Sequence, residues 1–471
     1  MPLRGLGAPT RRLLLAAAAL LGALACAKPP PPASLLLVTI DTLRADHLEI
    51  YGYSRPTSPR IDSLARAGTT FRNAYTPVPR TTQSVATILT GLYPKHHRAR
   101  GLFSILPAAN TTLAEILGKR GYATAAVVSN IFLQPGKGFE QGFGSYSNPR
   151  RRFEGDSSRE ITDEALAKLR SFPAGKEFFL WVHYLEPHWP YEPETRFAAM
   201  FGPPRPPSKT LQALQEGKLP KGDVIFKTPF SAEDRRFLVA LYDGEIAQVD
   251  EQVGRLVEGI PAEIRKNLLI VLTSDHGESL GEHGYCFAHG EYLYDGTLRV
   301  PLIFVFPDRV PAGVQDRAAS LLDVTPTILR LLGLPDRPGM DGLPLFAAGN
   351  PAFTPAGGHD LLFAETDYQL IHSANPRFYI PGVRGRWSSA RRGARKLIRI
   401  PRPEGDLHEL YDLSRDPGEQ ASADAAADPA GAELMRDLDR WVDYDEGAGK
   451  SLEESLTPEQ RERLRSLGYL Q

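Results

Sequence analysis

Runs of five to seven apolar residues that stop abruptly at polar, acid-bearing turns recur along this chain, separated by stretches with the 3.6-residue spacing of amphipathic helices. Ser34–Ile40 (SLLLVTI), Phe178–His183 (FFLWVH) and Leu268–Leu272 (LLIVL) read as strands buried on both faces. Each ends in chemistry. The first stops at Asp41, the second runs from His183 into Glu186-Pro187-His188, and the third stops at Thr273-Ser274-Asp275-His276-Gly277. Tyr122–Ser129 and Val300–Phe306 read as further strands, and Phe71–Tyr75 leads into the extended segment Pro77–Arg80.

Helical spacing is expected from Ser58-Pro59 to Gly68, with Ser58 as the capping residue, and over Thr81–Gly91, Thr111–Lys119, Ile161–Leu169 and Asp323–Leu332. The longest helix opens at Ser231 with Asp234 three residues on, and its predicted inner face is Phe237, Leu241, Ile246, Val249, Val253 and Leu256. Strands alternating with helices predict an α/β fold, a mainly parallel sheet covered by helices on both faces. Phe201–Phe230, rich in Pro, Lys and Gly, reads as a surface insertion. From about residue 378 the pattern changes to a small C-terminal α+β subdomain. Arg384–Ile400 is basic and strand-like, Leu407–Leu413 reads as a hairpin strand, and two helical stretches finish the chain. The eight Lys and Arg between Arg384 and Arg402 read as a solvated strand face rather than a polyanion site.

Composition narrows the class. With 471 residues, 42% hydrophobic and 24% charged, the chain can bury a large core, and a net charge of −1 gives no global field for nucleic acid. Arg4, Arg11 and Arg12 precede an apolar run from Leu13 to Leu24, short for a membrane span and suited to an export signal. It ends Ala23-Leu24-Ala25-Cys26, which resembles a bacterial lipoprotein signal with Cys26 as the lipidated residue; Ala-Leu-Ala also reads as an ordinary cleavage site. The expected organisation is an export signal over 1–26, a Pro-rich linker over 27–33, a catalytic domain over 34–377 and the C-terminal unit over 378–471. Cys286 is the one other cysteine, so no internal disulfide is available, and its thiol reads as packing.

Asp275 and His276 at a strand's carboxyl end can reach one divalent cation, with Gly277 allowing a sharp turn behind them; a plain polar turn is the competing reading. Thr81 places a hydroxyl at a helix amino terminus, where free N–H groups and the dipole suit an anionic ester, or where it serves only as a cap.

The segments LLLVTIDTLRADHL (35–48), TSPRIDSLARAGTTFRNAY (57–75), SVATILTGLYP (84–94), WVHYLEPHWPY (181–191), TSDHGESLGEHG (273–284), LYDGTLRVPLIF (293–304), LLDVTPTILRLLGLP (321–335) and LHELYDLSRDPGE (407–419) together resemble the sulfatase family of the alkaline-phosphatase superfamily. The resemblance implies that family's α/β fold, one divalent metal ion (Mn, Zn or Ca) held by Asp41, Thr81, Asp275 and His276, and Thr81 as nucleophile. It also implies that His188 and His289 contact the ester or its leaving oxygen. A second ion through Glu186, His188 or His289 stays open. The departures are specific. Thr81 stands where the family has the Cys or Ser that becomes formylglycine, Thr42 replaces the second acid of an Asp-Asp pair, and Val127-Val128-Ser129-Asn130 replaces a Gly-Lys-Trp-His element. A threonine ester cannot release sulfate by reforming an aldehyde, whereas in-line displacement at phosphorus needs no such route. The chemistry therefore favours phosphate or phosphonate esters while the family resemblance implies sulfate esters, and both stay open, from a small-molecule, glycan or lipid substrate, with formylglycine not expected. A phospho-group transferase would use the same residues. The reading from a different class is a catalytically silent protein that binds a sulfated or phosphorylated glycan.

Overall fold

A computed structural model describes residues 33–149, 157–203, 206–215, 230–347, 353–366, 386–402 and 404–442. The expected export signal, Cys26, most of the linker and the last helical stretch lie outside the described residues, as does much of the expected insertion.

One large sheet organises the chain. Its strands are β1 (Ser34–Ile40), β2 (Thr69–Tyr75), β3 (Ala123–Val128), β4 (Ser145–Ser147), β5 (Phe178–Tyr184) and β6 (Leu268–Ser274). After a small hairpin of β7 (Ser279–Leu280) and β8 (Cys286–Ala288) come β9 (Arg299–Val300), β10 (Leu302–Val305) and β11 (Gly313–Ser320). The order across the sheet is β11-β2-β10-β6-β1-β5-β3-β4, with β9 beside β2. β1 pairs in parallel with β5 and β6, whereas β10 runs antiparallel to β6 and β2. The expected strand Val300–Phe306 is split at Pro301, which has no N–H to give to a ladder, and both halves run antiparallel to their neighbours, β9 to β2 and β10 to β2 and β6.

Successive residues of the central strands point to opposite faces, so the apolar runs supply two cores at once. Leu36, Val38 and Ile40 pack with α1 (Pro59–Arg66), α4 (Ser158–Ser171) and α5 (Ala232–Glu258). Leu35 and Leu37 pack with α2 (Thr81–Thr90), α3 (Leu113–Lys119) and α6 (Val324–Leu331). Each fully buried Leu or Val of these layers contributes about 1.5–3 kcal/mol. The inner face expected for the longest helix is borne out, as is its capping box between Ser231 and Asp234. At α1 the expectation fails, because Ser58 makes no side-chain cap. Asp250, reaching across from α5, accepts from the N–H groups of Arg60 and Ile61 and takes over that role.

The C-terminal sheet, β12 (Leu362–Glu365), β13 (Ser388–Arg392), β14 (Arg395–Ile400) and β15 (Leu407–Asp412), is antiparallel. Its first strand comes from before residue 378. One face packs on α7 (Pro429–Trp441) and the other, through Trp387, Ile398 and Tyr411, on Tyr292, Leu293 and Tyr294 of the main domain. The basic stretch is therefore not a solvated face. Lys396 is buried and bonds Asp295 and Glu419, Arg391 bonds Asp295, and Arg392 bonds Asp360, Glu433 and Asp437. These cations fasten the sheet to the main domain and to α7.

Candidate metal and ester site

Strand register builds the centre of the site. Ile40 on β1 lies opposite Ser274 on β6, so the residues that follow, Asp41 and Asp275, leave the sheet side by side. Ligand atoms of Asp41, Asp275 and His276 all lie within 4.8 Å of one another, in a group fully buried from solvent. His276 Nε2 is 3.7 Å from Asp41 Oδ1 and 3.5 Å from Asp275 Oδ2. Its other ring nitrogen, Nδ1, bonds the Gly277 carbonyl at 2.9 Å, which leaves Nε2 to the cluster. Gly277 is required for proximity, not for a left-handed turn, since a Cβ there would lie 2.2 Å from the Gly296 carbonyl oxygen.

The donor set fits a divalent cation. Asp41 Oδ1 and Asp275 Oδ2 are buried and have no hydrogen-bond partner. Two such oxygens side by side carry a desolvation cost that a bound positive charge offsets. The electrostatics agree. Burial, followed by the charge of Asp41, pushes the Asp275 carboxyl well above the carboxylate range. Burial also opposes ionisation of Asp41, but the hydrogen bond with His183 and the nearby histidines hold its pKa below the usual value. Burial brings His276 down to about 4.

Neighbouring strands support Asp41. Asn130, just past β3, donates from Nδ2 to Asp41 Oδ2 at 2.6 Å. His183 on β5 is paired with Thr39 in register, bonds Thr39 Oγ1 through Nδ1 at 2.8 Å, and turns Nε2 to within 3.5 Å of Asp41 Oδ2. Sequence reading gave Asn130 no role; the replaced Gly-Lys-Trp-His element, which ends there, was the available signal.

Thr81 opens α2, and its Oγ1 is 3.4 Å from His276 Nε2. The neighbouring hydroxyls are committed elsewhere. Thr82 donates to the Leu102 carbonyl and Ser84 to the Asp275 carbonyl, at 2.7 and 2.6 Å.

His289 and His188 complete the floor. The His289 ring centre is 4.3 Å from that of His276 and 5.0 Å from that of His188. His289 Nδ1 bonds Glu278 at 2.9 Å, and His188 Nδ1 bonds the Trp189 carbonyl. Burial holds both imidazoles below their ordinary pKa, with the field of Arg80 adding to the effect. Arg80, paired with Glu291 at 2.5 Å and buried, is the cation that sequence reading missed, although it immediately precedes Thr81. The Glu186 carboxylate accepts from the Ser157 N–H and hydroxyl at 2.7 and 2.8 Å. Among the described residues Asp41, Asp275 and His276 form the one group able to hold a metal ion, so the structure gives a second ion no support.

Comparison with known proteins identifies the family. The Sulfatase family model matches residues 34–334. The chain is 26% identical over 382 residues to an arylsulfatase of Clostridium perfringens, covering 66% of this chain and 76% of that protein. Among solved structures it resembles BT4656 in complex with its substrate D-glucosamine-2-N,6-O-disulfate (TM-score 0.71, 20% identity, 87% of this chain and 97% of that one). It also resembles the phosphonate monoester hydrolase of Agrobacterium radiobacter (TM-score 0.69, 24% identity, 87% and 95%). With most of its length matched by one family model, the chain belongs to the Sulfatase family and is an ester hydrolase of that family, within the alkaline-phosphatase superfamily.

Proposed function

We propose that this protein hydrolyses phosphate or phosphonate esters through a covalent Thr81 intermediate, at a site holding one divalent cation between Asp41, Asp275 and His276. The observation that carries the reading is the placement of Thr81 Oγ1, 3.4 Å from His276 Nε2, while the hydroxyls of Thr82 and Ser84 point to carbonyls. When bound, the cation supplies Lewis-acid stabilisation of negative charge. The two carboxylates and one imidazole suit Zn²⁺ or Mn²⁺ better than Ca²⁺, which prefers an all-oxygen shell. Thr81 Oγ1 releases its proton to water and bonds the phosphorus as the bond from phosphorus to the leaving oxygen breaks, with His188 or His289 delivering a proton to that oxygen. Water then attacks the phosphorus, breaks its bond to Oγ1 and returns a proton to Thr81. Burial lowers the pKa of both imidazoles, and an anionic ester brings the charge that favours their protonation.

Threonine favours phosphorus over sulfur because its ester must be released by attack at the central atom. The likeness to a phosphonate monoester hydrolase supports this choice, and the likeness to a protein solved with a sugar disulfate keeps sulfated glycans among the substrates to test. A silent glycan binder has no physical reason to keep two unpaired carboxylate oxygens buried together. The test is turnover of an aryl sulfate, a phosphate monoester, a phosphate diester and a phosphonate ester, each with Mn²⁺, Zn²⁺, Ca²⁺ and Mg²⁺. Metal-dependent cleavage of the phosphorus esters is expected to exceed that of the sulfate, and cleavage of the sulfate alone would overturn the assignment. Transfer to an added alcohol in the same assay would identify the transferase form.

The first 26 residues support export, with Cys26 as the lipid-bearing residue at the membrane. Cys26→Ser is expected to move the protein from the membrane fraction to the soluble one. Unchanged fractionation, with no lipid by mass spectrometry, would assign the segment to ordinary cleavage.

A further inference from the structure

The turn that follows Asp41 is held in an unfavourable backbone conformation, and the group holding it comes from another element. Thr42 has φ 55°, in the left-handed region where a β-branched residue is disfavoured. Its carbonyl accepts a 2.8 Å hydrogen bond from the hydroxyl of Tyr242, in the middle of α5, and the same hydroxyl accepts from the Arg44 N–H at 3.0 Å. Tyr242 is completely buried, and burial raises its phenol well above the ordinary value, so it keeps the proton it donates.

What this conformation achieves is visible in the peptide on the other side of the Thr42 Cα. The Thr42 N–H points to Asp275 Oδ1 at 3.4 Å, and the His276 N–H reaches the same oxygen at 2.9 Å. With Oδ1 occupied twice, Oδ2 is the oxygen left facing Asp41 and His276. A second link runs from the Leu43 N–H to Ser274 Oγ at 3.0 Å and from that hydroxyl to the His276 carbonyl at 2.5 Å. The turns after β1 and β6 are thus laced together.

We propose that Tyr242 is a positioning residue of the metal site: by bonding the Thr42 carbonyl it keeps Thr42 left-handed, and through the Thr42 N–H it sets the Asp275 carboxylate for the cation. This inference rests on the reading of Asp41, Asp275 and His276 as a metal centre. In Tyr242→Phe the ring remains and only the hydroxyl is lost, so Thr42 is free to relax to an extended conformation.

The test is calorimetric titration of the metal-stripped full chain with Mn²⁺ and with Zn²⁺. Tyr242→Phe is expected to raise Kd at least ~10-fold, the loss typical when a group supporting a metal ligand is removed. Tyr184→Phe is the matched control, because it too deletes a buried phenol hydrogen bond, 2.8 Å to the Thr162 hydroxyl on α4, and among the described residues that phenol makes no bond to the Thr42 turn. It should leave Kd within about twofold of wild type. Glycine adopts the left-handed conformation without strain, so Thr42→Gly added to Tyr242→Phe should bring Kd back to within about threefold of wild type. A Tyr242→Phe Kd within twofold of wild type, an equal loss in Tyr184→Phe, or no recovery in the double variant would each overturn the role of Tyr242 while leaving the metal centre standing. Absence of saturable binding in the wild type would overturn the metal reading and this inference together.

Discussion

Thr81 Oγ1 faces His276 Nε2 across 3.4 Å, and the two residues arrive there from different elements, the first turn of α2 and the turn after β6. A hydroxyl beside the nitrogen that completes the carboxylate pair is placed to attack an ester held at that point. Thr81→Ala should therefore lower kcat by at least ~10²-fold, and Thr81→Ser should keep a measurable fraction because the oxygen is retained. Thr82→Ala should lower Tm while keeping most of the activity, since its hydroxyl serves the Leu102 carbonyl. Full activity in Thr81→Ala would exclude the covalent mechanism.

The paired carboxylates make metal binding and folding stability pull in opposite directions. In the metal-free fold Asp275 keeps its proton to a pH at which the unfolded chain has released it. The folded state then binds more protons than the unfolded one, so metal-free stability falls as pH rises above the ordinary carboxylate range. Asp275→Asn should abolish that decline and raise Tm at pH 8 without metal, while eliminating metal binding. Wild type titrated with Mn²⁺ or Zn²⁺ should instead gain about 2.7 kcal/mol at 100-fold excess over Kd, with tighter binding at higher pH as a proton is displaced. A metal-free Asp275→Asn protein that melts below wild type at pH 8 would contradict this account.

The strand tips were legible in the sequence because a fully buried strand is a short apolar run, and the point where the run stops is the point where polar side chains become useful. Asp41, Asp275 and His276 converge from those positions, and Thr81 joins them from the first turn of α2. Other features depend on distances between elements that no local pattern encodes. The register of β1 against β5 brings His183 to Asp41, and the rotation of α5 brings Tyr242 to Thr42 and Asp250 to the start of α1. The same limit explains the basic C-terminal stretch. Lys396 lies in a run that looks solvated until the sheet is docked and Asp295 and Glu419 close over it. Arg80 escaped notice because an arginine in a Pro-rich approach resembles a solvated loop residue until Gly290 and Glu291 are folded around it.

Asn130 offers a test of the support beneath Asp41. Its Nδ2 donates to Oδ2 at 2.6 Å, which leaves Oδ1 directed at the cluster. Asn130→Ala should weaken metal binding ~10- to 100-fold, and Asn130→Asp, which loses the donor but adds a negative charge beside the cation, should weaken it less than Asn130→Ala. Equal metal affinity in wild type and Asn130→Ala would reduce this contact to packing.

Away from the site, His359 Nε2 bonds the buried Asp323 at 2.8 Å. Burial opposes its protonation, but the Asp323 hydrogen bond and charge prevail and the imidazole pKa is raised. The stabilisation is fully present below the unfolded pKa of about 6.5 and is lost as pH rises through the higher folded value. Chemical denaturation at pH 5.5 should find His359→Gln less stable than wild type by about 1 kcal/mol, shrinking towards zero by pH 9. A gap that widens with pH would reverse the assignment.

The last prediction concerns the space in which Arg80 sits. Gly290 follows His289 with φ 100°, and a Cβ built there would lie 2.0 Å from Arg80 Nε and 2.2 Å from its Cζ. The guanidinium is the flexible end of its side chain, but it is only 4% exposed and tied to Glu291, so it has little room to yield. Gly290→Ala should cost about 1–3 kcal/mol through the backbone conformation alone. If Arg80 attracts the anionic ester, the displaced guanidinium should also raise KM about tenfold or more, with a smaller change in kcat. Arg80→Lys keeps the charge but not the planar fork, and should fall between wild type and Arg80→Ala in KM. A Gly290→Ala enzyme with lowered Tm and unchanged KM would mean that Arg80 serves the fold through Glu291 and takes no part in ester binding.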